Sequence, residues 1–233
     1  MLFEFIKNSN FLQNIVVNFI SLLHPSVMHN LGKIEMIKKA LWHCEIEKID
    51  GSYFEFGTYQ GTSLLAAVKI HEKISFKINR DFYGFDDFDK GFKYFDDKDK
   101  HPFFKEGDFV SSYEKAKKRF RKYKNVNLIN GYFEDTIAGK KQKDICNDDK
   151  CAVIFIDCDL MNPAYIALNF IKPILQQGSI IIIDDYFSYR GDKKLGTSGA
   201  FYKFLNENKN IKVREYCSYG YGGKSFIVSS VKF

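Results

Sequence analysis

The sequence predicts an α/β fold organised on a doubly wound, mostly parallel sheet, and three observations carry that expectation. Short apolar runs that reach a glycine or aspartate at or near their ends lie at Ser52–Gly57, Asp81–Phe88, Val126–Phe133, Cys151–Asp157 and Ile180–Asp185. Segments of helical spacing separate these runs, as crossovers between parallel strands require. Two further runs, KVREYCSY and KSFIVSSV, alternate in polarity around Gly220-Tyr221-Gly222-Gly223, which reads as a closing antiparallel hairpin. Five strands and the hairpin make seven.

In order along the chain, residues 1–23 and 31–48 read as helices, split by His24-Pro25-Ser26 and by Gly32. After the first strand a helix starts near Thr62, with Thr62 or Ser63 at its N-terminus. Residues 89–112 lack periodicity and mix aromatics with Lys, Asp, Pro102 and Gly107, so they read as a long lid over the strand ends (residues 88–110). Helices follow at 112–124 and, briefly, at 134–140. A helix then joins the strands at Cys151 and Ile180, a loop spans Ser188–Gly199, and a last helix covers 200–208.

At 233 residues the chain is long enough for one α/β domain with a terminal addition. The boundary falls near residue 50: a helical extension at 1–50, serving packing, lid or dimerisation, and the main domain at 51–233. The N-terminal apolar stretch is broken by Asn18 and has no small-residue cleavage site, so it reads as neither a secretory signal nor a spanning helix. An amphipathic helix packed on the domain or on a second subunit is expected instead. Five cysteines, none in a CxxC pair, point to a reducing cytoplasm and against zinc or a disulfide framework. The net charge of +6 is concentrated in KAKKRFRKYK at Lys115–Lys124, read as the solvated face of a surface helix. No nucleic acid is therefore expected as a partner.

In a doubly wound sheet, ligands bind outside the carboxyl ends of the strands. The exit of the first strand is Glu55-Phe-Gly57-Thr-Tyr59-Gln-Gly61-Thr62-Ser63. Its GxxxG spacing differs from the GxGxxG of dinucleotide turns, and it lacks the Lys-Ser/Thr of a P-loop. An acid before the first glycine suits a cationic ligand, and Asp86 at the second strand's end stands where an acid binds ribose hydroxyls. A ligand with both ribose and a positive centre is S-adenosylmethionine.

The motifs EFGTYQGTS, GFDDF, EGDF at Glu106–Phe109, NGYFEDTI at Asn130–Ile137, FIDCDL and GSIIIIDDY occur in this order. From about residue 30 to residue 208 the chain thereby resembles the macrocin O-methyltransferase-like family of metal-dependent class I methyltransferases. The resemblance implies a Rossmann-like seven-stranded sheet and methylation of a hydroxyl, commonly of a sugar. It implies that Glu55, Gly57, Tyr59, Gly61, Thr62 and Ser63 cradle the methionine part of the cofactor. Asp86 is implied to bind the ribose, Tyr132 and Phe133 to flank the adenine, and Asp157, Asp184 and Asp185 to hold a divalent metal.

The residues agree on the metal. Ends of adjacent parallel strands lie about 4.8 Å apart, so their acids can share one ion. A carboxylate cluster without His or Cys suits a hard cation: Mg²⁺ first, with Mn²⁺ or Ca²⁺ also compatible. Asp157 or Asp159 is the nearest candidate for the base that takes the acceptor's proton. His24 and His29 in the N-terminal segment and His101 in the lid are within reach of the site as alternative bases, but read as ordinary surface residues. Asn162-Pro163-Ala164-Tyr165 resembles the base-holding NPPY motif of nucleic-acid methyltransferases but lacks its second proline, and reads as the opening of a helix. The expected acceptor is a sugar, nucleotide-activated or part of a glycan or natural-product precursor. A catechol, a nucleic acid, or cofactor binding without catalysis are the alternatives.

Overall fold

The computed structural model describes residues 9–74, 78–94, 100–101, 103–146 and 150–232. Two helices lead: α1, Asn10–Leu22, and α2, Pro25–Ile46. Then come β1 (Ser52–Phe56), α3 (Thr62–Ile74), β2 (Phe82–Asp86), α4 (Tyr113–Phe120), β3 (Val126–Asn130) and the short α5 (Phe133–Thr136). The second half runs β4 (Cys151–Ile156), α6 (Met161–Ile171), β5 (Leu175–Ile183), α7 (Gly196–Glu207), β6 (Ile211–Tyr219) and β7 (Gly223–Val231). The seven strands form one sheet of order β3-β2-β1-β4-β5-β7-β6. β3, β2, β1, β4 and β5 are parallel, and β7 pairs antiparallel with both β5 and β6. The predicted doubly wound sheet with a closing hairpin is the observed fold.

The two-residue period of the strands divides the core between the faces. Phe54, Phe56, Ile154, Ile156, Ile181 and Ile183 face α6 and α7, meeting Ala164, Leu168, Phe170, Phe201 and Phe204. Tyr53, Val153, Phe155, Ile180 and Ile182 face α2 and α3, meeting Met36, Ile37, Leu41, Leu64 and Val68. Burial on both faces is why these strands are continuous apolar runs.

Register positions the site. Phe56 pairs with Phe85 and with Ile156, and Ile156 pairs with Ile183. The next residues, Gly57, Asp86, Asp157 and Asp184, therefore line one edge of the sheet. The ladder continues past the strands: Asp157 N donates to Phe56 O at 2.8 Å and Asp184 N to Ile156 O at 2.9 Å.

Several boundaries differ from the sequence reading. α2 is one helix that starts at Pro25 and runs through Gly32. His24 caps it, its Nδ1 accepting from Ser26 N at 3.2 Å, and Pro25 takes the first turn, where its missing N–H costs nothing. Gly32 is no helix break: a Cβ there would come within 2.7 Å of Gly220 N in the β6–β7 turn, so the glycine serves close packing. α7 starts at Gly196, inside the stretch read as loop. α1 buries none of its residues and leaves Phe11, Phe19 and Leu22 exposed, so it does not pack on this domain. Residues 1–8 of the predicted first helix lie outside the described residues, as do 95–99 and 102 of the predicted lid. Among the described residues no single helix is long and apolar enough to cross a membrane; α1 and α2 meet that test only together, bent by 91°.

Candidate active site

A cavity of about 580 Å³ opens at the carboxyl edge of the sheet, within the usual range for small-molecule sites. One end is walled by Gly57, Tyr59, Thr62, Ser63, Asp86, Tyr132 and Phe133, the other by His29, Lys33, Asp157, Asp159, Asp184, Asp185 and Tyr221. The structure thus brings together around one cavity most of the residues singled out from the sequence.

At the first end the chain turns sharply after β1. Gly57 has φ +94, and a Cβ on it would sit 1.9 Å from Asp157 O, so only glycine lets β1 and β4 end side by side. The N–H groups of Thr58 and Tyr59 donate to Asp86 Oδ2 at 2.6 and 2.7 Å, and that of Phe88 to Asp86 Oδ1 at 2.9 Å. Asp86 is therefore the brace of the loop as well as part of the cavity wall. Burial raises its carboxyl, against these N–H bonds that pull it down. The neighbouring Asp87, absent from the sequence reading, also lines the cavity, and burial pushes it up to about 6.

Two predicted cofactor residues are not on the wall. Glu55 shares the strand face of Tyr53 and is fully buried; its carboxylate accepts from Tyr53 Oη at 2.8 Å and Ser63 Oγ at 2.9 Å. It reaches the cavity only through Ser63. Burial pushes its carboxyl up to about 7, against the two hydroxyl bonds. Gly61 backs onto the Phe120 ring of α4 instead. Tyr132 stands at the start of α5 with Lys90 Nζ 4.9 Å from its ring centre, and Phe133 packs edge-on against Phe56 at 5.7 Å. Above them the predicted lid is an aromatic cluster: Phe104 meets His101 at 4.2 Å and Phe109 at 4.7 Å, and Phe109 meets Tyr59 at 5.9 Å. His101 is half-buried there, and burial lowers its pKa.

At the other end, Asp157, Asp184 and Asp185 offer carboxylate oxygens within 4.8 Å of one another. Asp159 joins them from a left-handed backbone conformation, φ +57, which for a non-glycine residue costs on the order of 1–3 kcal/mol and tends to occur at functional sites. Burial and the Asp185 carboxylate raise the Asp159 carboxyl well above the usual range. Burial and Asp184 do the same for Asp157. Burial also acts on Asp184, but His29 and Lys33 outweigh it and hold that carboxyl low.

The partners of Asp184 come from afar. Lys33 Nζ donates to Asp184 Oδ2 at 2.7 Å and to Asp157 Oδ2 at 2.9 Å. His29 Nε2 lies 3.0 Å from Asp184 Oδ2, and Tyr219 Oη donates to Asp184 Oδ1 at 2.7 Å. His29 is thus not a surface residue: it is 6% exposed, wedged between Tyr219 and Tyr221. Sequence reasoning missed Lys33, Tyr219 and Tyr221 and undervalued His29. One signal was available. His29 and Lys33 continue, four residues apart, the buried stripe Met36, Ile37, Ala40, Leu41, Cys44 of α2, so two polar side chains sat on a core-facing helix face.

Of the remaining residues singled out from the sequence, Cys158 and Pro163 line the cavity, whereas His24 and the basic helix do not. His24 is exposed at the start of α2. Asn162 opens α6 as expected, and its amide donates to Glu134 Oε1 at 2.7 Å. α4 buries Ala116 and Phe120 and turns Lys117 outward to Glu114 at 2.6 Å. None of the five cysteines, all among the described residues, is in a disulfide.

The family model of macrocin O-methyltransferase (TylF) matches residues 25–209. This chain belongs to the macrocin O-methyltransferase family. It is accordingly an S-adenosylmethionine-dependent O-methyltransferase. A search of curated proteins finds no match. Among solved structures, the calicheamicin methyltransferase CalS11 superposes with a TM-score of 0.65 at 20% identity, covering 97% of this chain and 89% of that one. The O-methyltransferase NovP gives 0.64 at 17% identity, covering 86% and 80%. The apo form of CalS11, described as a TDP-rhamnose 3'-O-methyltransferase, gives 0.60 at 18% identity over 97% and 90%. At these identities the likeness is one of fold.

Proposed function

We propose that this macrocin-family enzyme methylates a hydroxyl of a sugar, carried on a nucleotide or in a glycan or natural-product precursor, with Mg²⁺ at the acidic cluster. The observation that carries this reading is the joining of the glycine turn and the carboxylate cluster in one cavity, with family membership supporting the sugar acceptor. The donor set fits a hard divalent ion. Four clustered carboxylates, one buried and three half-buried, have one lysine ammonium among them, paired with Asp157 and Asp184, so negative charge is in excess, and oxygen-only ligands select Mg²⁺, Mn²⁺ or Ca²⁺. Asp157, Asp184 and Asp185 would hold the ion. Bound there, it would lower the pKa of an acceptor hydroxyl.

The chain's own residues do the rest. Gly57, Tyr59, Thr62 and Ser63 give the cofactor's methionine part a close backbone surface, with Glu55 supplying negative charge through Ser63. Gly61 shapes that turn from behind. Asp86 keeps acceptor capacity for ribose hydroxyls after its three N–H bonds. Tyr132 and Phe133 flank the adenine end. Asp159 takes the acceptor's proton, its proton affinity raised by burial and by Asp185, which suits a general base. The aromatic lid excludes water and shapes acceptor choice. Five cysteines outside any disulfide support a reducing, cytoplasmic setting, and the exposed apolar α1 offers a surface for a homodimer.

The test is turnover of a panel of nucleotide sugars, with and without EDTA, read by mass as the gain of one methyl group. Activity that survives both EDTA and Asp184→Asn sinks the metal. Methylation of catechols but of no sugar replaces the acceptor class.

A further inference from the structure

Lys33 and a divalent ion compete for the same oxygens. Its ammonium lies 2.7 Å from Asp184 Oδ2 and 2.9 Å from Asp157 Oδ2, and these two aspartates are also two of the three acids close enough to share an ion. A monovalent and a divalent cation on one pair of buried carboxylates repel each other at short range, where little solvent screens them. Lys33 also does not stand alone. His29, one turn earlier on the same helix face, holds Asp184 Oδ2 at 3.0 Å.

The anchoring of α2 makes this consequential. Its second half is fixed in the core by Met36, Ile37, Ala40, Leu41 and Cys44, while in the first half only His29 is buried. The first half is therefore fastened by its grip on the acidic cluster and by the contacts of Gly32 and His29 with the β6–β7 turn. Ser26 and Asn30 of that same half line the cavity.

We propose that Lys33 is a built-in counter-cation of the acidic site that the divalent ion displaces, so that metal loading and release of the first half of α2 are one coupled event. This rests on the metal reading above. Before loading, the ammonium holds Asp157 and Asp184 together and draws α2 over the cavity. On loading, Lys33 loses its two acceptors and the first half of α2 loosens, which opens the acceptor side. Lys33 is then a positioning residue, coupled to the metal with equal strength in both directions.

The test compares Mn²⁺ binding to the wild-type protein, Lys33→Met and Lys33→Gln by calorimetry, with hydrogen exchange of residues 25–35 with and without Mn²⁺. Expected is Mn²⁺ affinity about tenfold higher in both variants, because the competitor is gone. Exchange over 25–35 rises on adding Mn²⁺ to the wild type and is already fast, and unchanged by Mn²⁺, in the variants. A Lys33 that merely supports the structure gives equal or weaker Mn²⁺ binding in the folded variants beside measurable wild-type binding, and that overturns the inference alone. If Lys33→Met fails to fold, Lys33→Gln and the wild-type exchange measurement still decide. No Mn²⁺ binding by any of the proteins overturns the metal reading and this inference with it.

Discussion

Replacing Glu55 with glutamine removes a carboxylate that the fold keeps wholly from water while preserving its size. The Tyr53 and Ser63 hydroxyls retain a polar partner, so the main change is loss of an ionisable group. Burial raises that group from its ordinary 4.5 to about 7. At about 1.4 kcal/mol per unit of pKa, ionising Glu55 in the native protein costs on the order of 3 kcal/mol more than in the unfolded chain. The folded state therefore binds the proton more tightly. Its contribution to stability is full below pH 4.5 and is lost as pH rises through about 7. Urea unfolding of wild type and Glu55→Gln at pH 4.5, 5.5, 6.5 and 7.5 reads this directly. The difference between the two proteins should shift by about 3 kcal/mol in favour of the variant across that window and then level off. Titrations of other groups, such as Asp87, cancel in the difference. Parallel pH profiles would refute the claim that Glu55 is buried with a raised pKa. If Glu55 supplies charge to the cofactor as proposed, binding of the cationic cofactor should strengthen through pH 7 in wild type by more than in the variant.

Other perturbations have equally definite outcomes. Asp184→Asn leaves Lys33 with Asp157 alone and takes the charged acceptor from His29 and Tyr219, and should cost about 1–3 kcal/mol of unfolding free energy, besides abolishing the metal-stimulated turnover proposed above. Gly57→Ala drives a Cβ into Asp157 O and should either fail to yield folded protein or lose more than about 2 kcal/mol together with cofactor binding, measured by denaturation and calorimetry. Burial, with Arg80 nearby, lowers His71 to about 4. Its contribution is full above pH 6.5 and lost as pH falls toward 4, so His71→Phe should lose less stability than wild type between pH 7 and 4.5. Phe56→Ala, at the centre of the α6 face and fully buried, should cost about 3–5 kcal/mol in the same unfolding assay.

The parts of the fold legible in the sequence were those whose signal is local. β1, β2, β4 and β5 are buried on both faces, so their apolar runs stood out, and each ends where glycine or aspartate marks the sheet's edge. The acidic cluster followed from that, since parallel neighbours in register bring Asp157 and Asp184 together. Boundaries at glycines were less legible. Gly32 looks like a helix stop but is a contact with the β6–β7 turn, and nothing in its neighbours along the chain says so.

Sequence by itself determined the doubly wound sheet, the glycine turn, the carboxylate edge and the family, because each is written in consecutive residues or short spacings. Tertiary structure alone decided which charges meet. His29 and Lys33 lie 155 and 124 residues from Asp184 and Asp157. Helical periodicity reveals that they share a face of α2 but not what that face covers. It also turned Glu55 away from the cavity, because the strand's two-residue alternation put it beside Tyr53 under α3. Pairings across such distances are set by how whole layers pack, and packing is a property of the assembled sheet and helices.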